Sequence, residues 1–339
     1  MVEYVHYVSA ALGTNYRQVV TRMTVQNRPA AYDDSIRRRL RGLWKEMKNC
    51  RYLYLMLLIP MAQYFIFRYA PIAGIQIAFK DYNIFNGMAA SKWVGFANFA
   101  EAFATPLFWK SLKNTVLLNL YDLIFGFPIP IILAIMLYEM RWLKLKKVYQ
   151  TVLYLPHFLS WIIIGGILNR IFASQGMING IITRLGGQPV DFLLNERNWT
   201  IVYVVSGIWQ SSGWGTIIYL AAISGVNTEL YEAAEVDGCG RIKRIIHITI
   251  PCIMPTIIIM LILRLGSMVG IGFERPYVMA NKMVRDVAEV TSTYVYSAGI
   301  QNARFSYSAT IDLFGSIINM LFLVASNTAT KSLGEGGLW

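Results

Sequence analysis

The sequence predicts an all-α membrane protein with six transmembrane helices. Three observations point there. Of its 339 residues 55% are apolar and only 15% are charged, whereas soluble domains carry about a quarter charged. Mean hydropathy is +0.44. The apolar residues gather into six stretches, each near the roughly 20 residues needed to cross a bilayer. This composition excludes a disordered chain, a coiled coil and an ordinary soluble enzyme.

The first stretch runs from Tyr52 to about Ala70 and carries Pro60. The others run from Leu112 to Leu137, Val148 to Phe172, Trp199 to Ile223, Pro251 to Phe273 and Tyr307 to Ala325. Pro60, Pro128, Pro130 and Pro156 predict kinks, because proline frees a backbone carbonyl that then needs another partner. The segments between spans, 75–111, 173–198 and 274–306, are too short for separate domains and are expected to form short capping helices.

Formal net charge is +12, from 31 Lys+Arg against 19 Asp+Glu. The basic residues sit beside apolar spans, so topology and anionic headgroups explain them, and no nucleic-acid partner is expected. Arg37, Arg38, Arg39, Arg41, Lys45 and Lys48 crowd the end of a basic segment, 1–49, that lacks the apolar core of a signal peptide. Arg141, Lys144, Lys146 and Lys147 follow span two. Arg241, Lys243 and Arg244 follow span four. The bias places both termini in the cytoplasm, with 50–328 as the membrane domain and 329–339 as a tail. Cys50, Cys239 and Cys252 have no metal-ligand spacing, and His6, His157 and His247 are far apart, so no metal site is expected.

The segment between spans four and five is the most informative. Asn227 or Thr228 can cap a helix, and Glu229 suits its positive end. That helix should stop near Gly238, where no Cβ hinders a left-handed turn. A second short helix should begin near Arg241 with Ile242, Ile245 and Ile246 on one face. Pro251 then suits the first turn of span five. Such a loop reads equally well as an interfacial amphipathic anchor or as a docking knob.

The pattern Glu232-Ala233-Ala234, three residues, Gly238, nine residues, Ile248-Thr249-Ile250-Pro251 resembles the EAA loop of permease subunits in bacterial ABC importers. Ile250 stands where leucine is usual. Trp93-Val-Gly-Phe-Ala-Asn-Phe99, Phe108-Trp109 and Asn114-Thr115 are similar to the segment before span two in permeases of the carbohydrate uptake-1 family. Tyr154-Leu-Pro-His157, Gly213-Trp214-Gly-Thr-Ile-Ile-Tyr219, Leu263-Arg264-Leu-Gly266 and Gly272-Phe-Glu274 resemble its polysaccharide branch, which includes permeases for acidic oligosaccharides such as alginate.

The resemblance implies a type I importer permease fold with a cytoplasmic coupling helix in loop 226–251. It also implies a second homologous permease, two ABC ATPase subunits, an extracytoplasmic binding protein and an oligosaccharide substrate. Glu232, Ala233, Ala234, Asp237, Gly238, Arg241, Ile245 and Pro251 are then the expected ATPase-coupling residues. Gly238 and the Ile242, Ile245 and Ile246 face are the expected rigid link. No Gly-x-x-x-x-Gly-Lys-Ser/Thr loop occurs, so ATP and magnesium are expected on the partner ATPases and none on this chain, which is not expected to be an enzyme.

Ionisable and hydrogen-bonding residues inside spans are functional candidates by default. Asp122, His157, Trp209, Gln210, Trp214, Tyr219, Arg264 and Asn319 are the expected substrate path, since sugars present both hydroxyl rims and apolar faces. Asp122 and Arg264 read first as a structural pair, Trp209 and Trp214 as packing, and His157 as a partner for the carbonyl that Pro156 frees. An acidic substrate would give Arg264 a carboxylate to bind. One rival is an ion-coupled secondary sugar transporter with Asp122 and His157 as relays, although no inverted repeat is visible. A membrane enzyme acting on lipid-linked sugars would need converging acids, whereas Asp81, Glu101, Asp191, Glu196, Asp286 and Glu289 are scattered.

Overall fold

The computed structural model describes residues 50–332. The expected basic segment 1–49 and residues 333–339 of the expected tail lie outside the described residues. The chain divides into two compact units, one ending at Ala73 and the other beginning at Gly74.

In the first unit, α1 (Arg51–Tyr64) buries no side chain and continues through a wide π turn, Phe65–Tyr69. An apolar helix with no buried face is what a lipid surroundings demands, because lipid tails solvate its side chains while the helix satisfies its own backbone. Pro60 lies inside α1.

The second unit holds the rest. After a two-residue antiparallel pair, Lys80–Asp81 with Lys92–Trp93, come α2 (Ala97–Ala104) and α3 (Pro106–Tyr121). Asp122–Gly126 form a π turn into α4 (Pro128–Tyr138). Next are α5 (Leu143–Tyr154), α6 (Trp161–Ile171), α7 (Met177–Arg184) and the long α8 (Glu196–Ser224). Beyond it lie α9 (Thr228–Val236), α10 (Ile250–Leu265), α11 (Glu274–Met279), α12 (Thr291–Tyr296) and α13 (Phe305–Ser332).

Among the described residues four helical runs are long and apolar enough to cross a membrane: Arg51–Phe79, Pro106–Tyr138, Arg241–Leu265 and Phe305–Ser332. The expected third span is not one straight helix. It bends by 100° between Leu143–Phe158 and Trp161–Ile171. Pro156 sits in the tight turn Leu155–Phe158, and Ser160 then starts α6 by accepting a hydrogen bond from the Ile163 amide at 3.4 Å. The expected fourth span is α8. Its 29 residues suffice in length, but it is not among the apolar runs. Ser206, Ser212 and Thr216 are buried against protein there, and the Ser206 and Thr216 hydroxyls donate to the Tyr203 and Ser212 carbonyls of the same helix.

α8 is the spine of the second unit. It packs along α4, the Asp122–Gly126 turn, the end of α5 and α10. One end carries Trp199, whose indole donates to the Met279 carbonyl at 2.8 Å. Around it pack Leu118, Val202, Tyr203, Val284 and Val290. The other end packs Tyr219 and Ile223 against Ala134 and Ile253. The chain between α10 and α13 is clipped onto α3. Asn114 donates to the carbonyls of Asp286 and Glu289 at 2.8 and 2.9 Å, and Thr115 accepts from the Thr291 amide at 2.8 Å.

Wide π turns precede three prolines: Phe65–Tyr69 before Pro71, Asp122–Gly126 before Pro128 and Ile245–Thr249 before Pro251. Proline has no amide hydrogen to give the preceding turn, and the extra residue relaxes the ladder at that point. As a result the short helix Arg241–Arg244 and the fifth span, expected as separate elements, form one run, Arg241–Leu265.

Candidate functional site

Two places in the second unit gather the expected residues: a cavity beside α8 and the loop between α8 and α10. The cavity measures about 540 Å³. Asp122, His157, Gln210, Trp214, Tyr219 and Arg264 all line it, joined by Asn119, Trp161, Tyr203, Glu274 and Arg275. Two expected path residues lie elsewhere. Trp209 faces a separate apolar pocket of about 380 Å³ with Leu168, Phe172 and Val205. Asn319 accepts a hydrogen bond from the Val269 amide at 2.8 Å and fixes the loop after α10.

Asp122 is buried, and its nearest partner is not Arg264. The Arg275 guanidinium reaches it at 2.8 Å, while Arg264 stands at 3.8 Å. Arg275 is held by more than the acid. It donates to the Tyr203 carbonyl, lies 3.6 Å from the centre of the Tyr203 ring and 5.2 Å from that of Trp161. Gly207 makes the space, since a Cβ there would overlap the guanidinium. Arg264, with a side chain about 46% exposed, is the looser of the two cations.

Sequence reasoning missed Arg275 because it counts as a residue between spans. The chain folds back through Gly266, Gly270 and Gly272 to bring it in. A usable signal exists on α8, where Tyr203 and Gly207 are four apart and so share one face.

His157 stacks on Trp214, ring centres 4.6 Å apart and 7° from parallel. Its expected role is reversed. His157 does not take up a freed carbonyl; its own carbonyl accepts from Gln210 at 3.4 Å. Asn119 donates to the Met268 carbonyl at 2.9 Å. Three buried polar atoms have no hydrogen-bond partner among the described residues, His157 Nδ1, the Tyr203 hydroxyl and Arg275 Nε, and all three belong to residues that line this cavity.

The loop forms as its sequence directs. Asn227 caps α9 by accepting from the Glu229 amide at 3.0 Å. The helix closes where the Cys239 amide reaches the Ala234 carbonyl at 2.8 Å, with Gly238 at φ +74°, a left-handed closure that glycine accepts without strain. Glu232, Ala233, Asp237, Gly238 and Arg241 are exposed, Ala234 and Ile245 half-buried. Val236 is 88% exposed, a large apolar side chain left open at the tip.

The link from this tip to α10 differs from the expected one. Ile242 and Ile246 are exposed. The braces are the Tyr231 hydroxyl against the buried Thr249 hydroxyl at 3.0 Å and the Glu235–Arg244 pair at 3.1 Å. Burial raises the Tyr231 phenol above its usual pKa, against a smaller lowering by the Thr249 hydrogen bond.

Residues 94–334 match the family model for the inner membrane component of binding-protein-dependent transport systems. The chain belongs to that family. The polygalacturonan/rhamnogalacturonan transport system permease protein YteP of Bacillus subtilis is 42% identical over 290 residues, which cover 85% of this chain and 90% of the relative. Protein LplB of the same organism is 42% identical over 294 residues, covering 86% and 92%. A solved bacterial ABC transporter for import of the acidic polysaccharide alginate superposes with a TM-score of 0.78 at 36% identity, covering 86% of this chain and 99% of that one. A bacterial alginate ABC transporter solved in complex with an alginate pentasaccharide-bound periplasmic protein superposes with a TM-score of 0.79 at 36% identity, covering 87% of this chain and 99% of that one. The permease is thus an all-α, multi-pass inner-membrane component with the type I ABC importer fold, a transport subunit and not a catalytic one.

Proposed function

We propose that the permease conducts an acidic oligo- or polysaccharide through the α8 cavity into the cell, driven by ATP hydrolysis on partner ATPases. The observation that carries this reading is the cavity's mixture of groups. It sets the stacked His157–Trp214 pair, a flat apolar face, beside the half-exposed guanidinium of Arg264 and the hydrogen-bonding groups of Gln210 and Tyr219. Sugar rings present C–H faces to aromatic surfaces, and a uronate carboxylate matches a guanidinium bidentately. The relatives named for polygalacturonan and alginate agree with that chemistry.

In this reading six spans cross the membrane, both termini and loop 226–251 face the cytoplasm, and residues 50–328 form the membrane domain. A second homologous permease completes the path, and an extracytoplasmic binding protein delivers the saccharide. The exposed tip of α9 enters the ATPase, with Glu232, Ala233, Ala234, Asp237 and Gly238 making or shaping the contact. Arg241, Ile245 and Pro251 carry the loop into α10. ATP and magnesium stay on the two ATPase subunits.

Reconstitution in vesicles tests the whole. Uptake of an oligogalacturonide should require internal ATP and the binding protein. Uptake driven by an ion gradient alone would refute it in favour of secondary transport. Glu232→Lys and Gly238→Pro should release the ATPase or separate its hydrolysis from uptake. Normal recruitment and uptake in both would remove the coupling role from the loop.

A further inference from the structure

Asp122 is approached from both sides of one short loop. Arg264 lies one residue before the end of α10, and Arg275 is the second residue of α11. Between them the chain passes through Gly266, Gly270 and Gly272, which impose few backbone constraints. The two cations are held differently. Arg275 is clamped by Asp122, the Tyr203 carbonyl, two aromatic rings and the floor at Gly207. The Arg264 guanidinium has a single partner among the described residues, Asp122 at 3.8 Å, and is half exposed to the cavity.

Arg264 is also the cavity end of a lever. The run Arg241–Leu265 is 25 residues of helix with a wide turn at Ile245–Thr249, about 37 Å long at roughly 1.5 Å per residue. Its other end begins in the loop and is tied to α9 by the Tyr231–Thr249 and Glu235–Arg244 contacts. A displacement of α9 carried along this run would move Arg264 relative to Asp122, which is held by Arg275 and through it by Tyr203 of α8.

We infer that Asp122 is a positioning residue that tethers the cavity end of this lever through Arg264, and that an anionic ligand entering the cavity releases the lever by taking Arg264 away. The inference rests on reading loop 226–251 as the ATPase contact. The chemistry is a competition between two carboxylates for one guanidinium. A uronate carboxylate in the cavity can bind bidentately, whereas Asp122 holds Arg264 through one long contact. Because Arg275 remains on Asp122, the buried acid is never left without a counter-charge, the situation that makes breaking a buried pair costly. A ligand shifts such an equilibrium only by its differential interaction with the two states, and here that difference is the anion itself.

The test uses the intact complex of permeases and ATPases in lipid vesicles, with the binding protein and a galacturonate trimer as probe. Arg264→Gln should raise saccharide-free ATP hydrolysis about two- to fivefold, the range a half-exposed ion pair can supply, and should abolish the further increase on adding the trimer. Arg264→Lys, which keeps the charge but loses the bidentate fork, should respond to the trimer less than the parent and more than Arg264→Gln. Asp122→Asn combined with Arg264→Gln should be no worse than Arg264→Gln alone, since both remove one tether. Saccharide-free hydrolysis unchanged in Arg264→Gln would overturn the inference, as would additive effects in the double variant. If Asp122→Asn fails to assemble, the Gln and Lys variants at 264 decide alone. ATP-independent uptake by the parental complex would sink the transport reading itself, whereas a parental complex that couples normally beside unaltered saccharide-free hydrolysis in Arg264→Gln sinks only the tether.

Discussion

Gly207→Ala is the smallest change that reaches the buried charge cluster. The Arg275 guanidinium lies against Gly207, and a new Cβ would overlap its Cζ and both terminal nitrogens. Restoring ordinary van der Waals separation requires the group to retreat by about 1 Å. That carries its 2.8 Å contact with Asp122 out of hydrogen-bond range. A charge-assisted hydrogen bond contributes about 1.5–3 kcal/mol, and the cation–π contacts add about 1 kcal/mol. Arg264 can move closer to Asp122 and recover part of this. Alanine's helix preference over glycine returns about 0.5–1 kcal/mol. The net expectation is a loss of about 2 kcal/mol, read as an apparent melting temperature roughly 5 °C lower for the purified permease. Gly180→Ala, at a helical glycine with nothing within 4 Å of its added methyl, should be neutral or slightly stabilising. In an Arg275→Ala background the Gly207→Ala penalty should vanish. An equal penalty in both backgrounds, or none in the parent, would refute the placement of the guanidinium on this glycine.

Other outcomes follow from the same geometry. At Gly213 an added Cβ meets the backbone carbonyl of Leu153 at the end of α5; backbone retreats less easily than a side-chain tip, so Gly213→Ala should cost upwards of about 3 kcal/mol and show first as lost yield of monodisperse protein. Tyr231→Phe removes the hydroxyl that pairs with buried Thr249. It should cost about 1–3 kcal/mol locally and lower the sugar carried per ATP in vesicles, with ATPase recruitment unchanged. Raised in the folded state, the Tyr231 pKa makes its contribution to stability complete below the ordinary phenol value of about 10 and lost only as pH climbs past it. Melting temperatures of parent and Tyr231→Phe should accordingly differ by a constant amount between pH 6 and pH 9, to be followed by fluorescence.

The shape of loop 226–251 was almost fully legible because its signals are local. An asparagine cap and a glycine closure act within one or two turns, and no distant residue can overrule them cheaply. The cavity was legible in part. Asp122, His157, Gln210, Trp214, Tyr219 and Arg264 do share a wall, but Trp209 adjoins Gln210 in sequence and is therefore turned about 100° from it around α8, toward another pocket. Asn319 was chosen for polarity alone, which does not tell a backbone clip from a path residue. Arg275 was out of reach because its partner Asp122 is 153 positions away and no pattern of period 3.6 links them. The break at Ser160 was half read: Pro156 marks where a helix is weak, while the size of the bend is set by what α5 and α6 pack against.

The wide turn at Asp122–Gly126 has a bearing on how sequence change is tolerated here. It holds one residue more than a regular coil, and each residue turns an α-helix by about 100°. The azimuth of α4 from Pro128 onward, including the side that meets α8, is therefore set by a surplus of one amino acid beside buried Asp122. Shortening or lengthening the chain by a single residue there would turn α4 on its axis and carry Pro130 out of its place in the cavity wall.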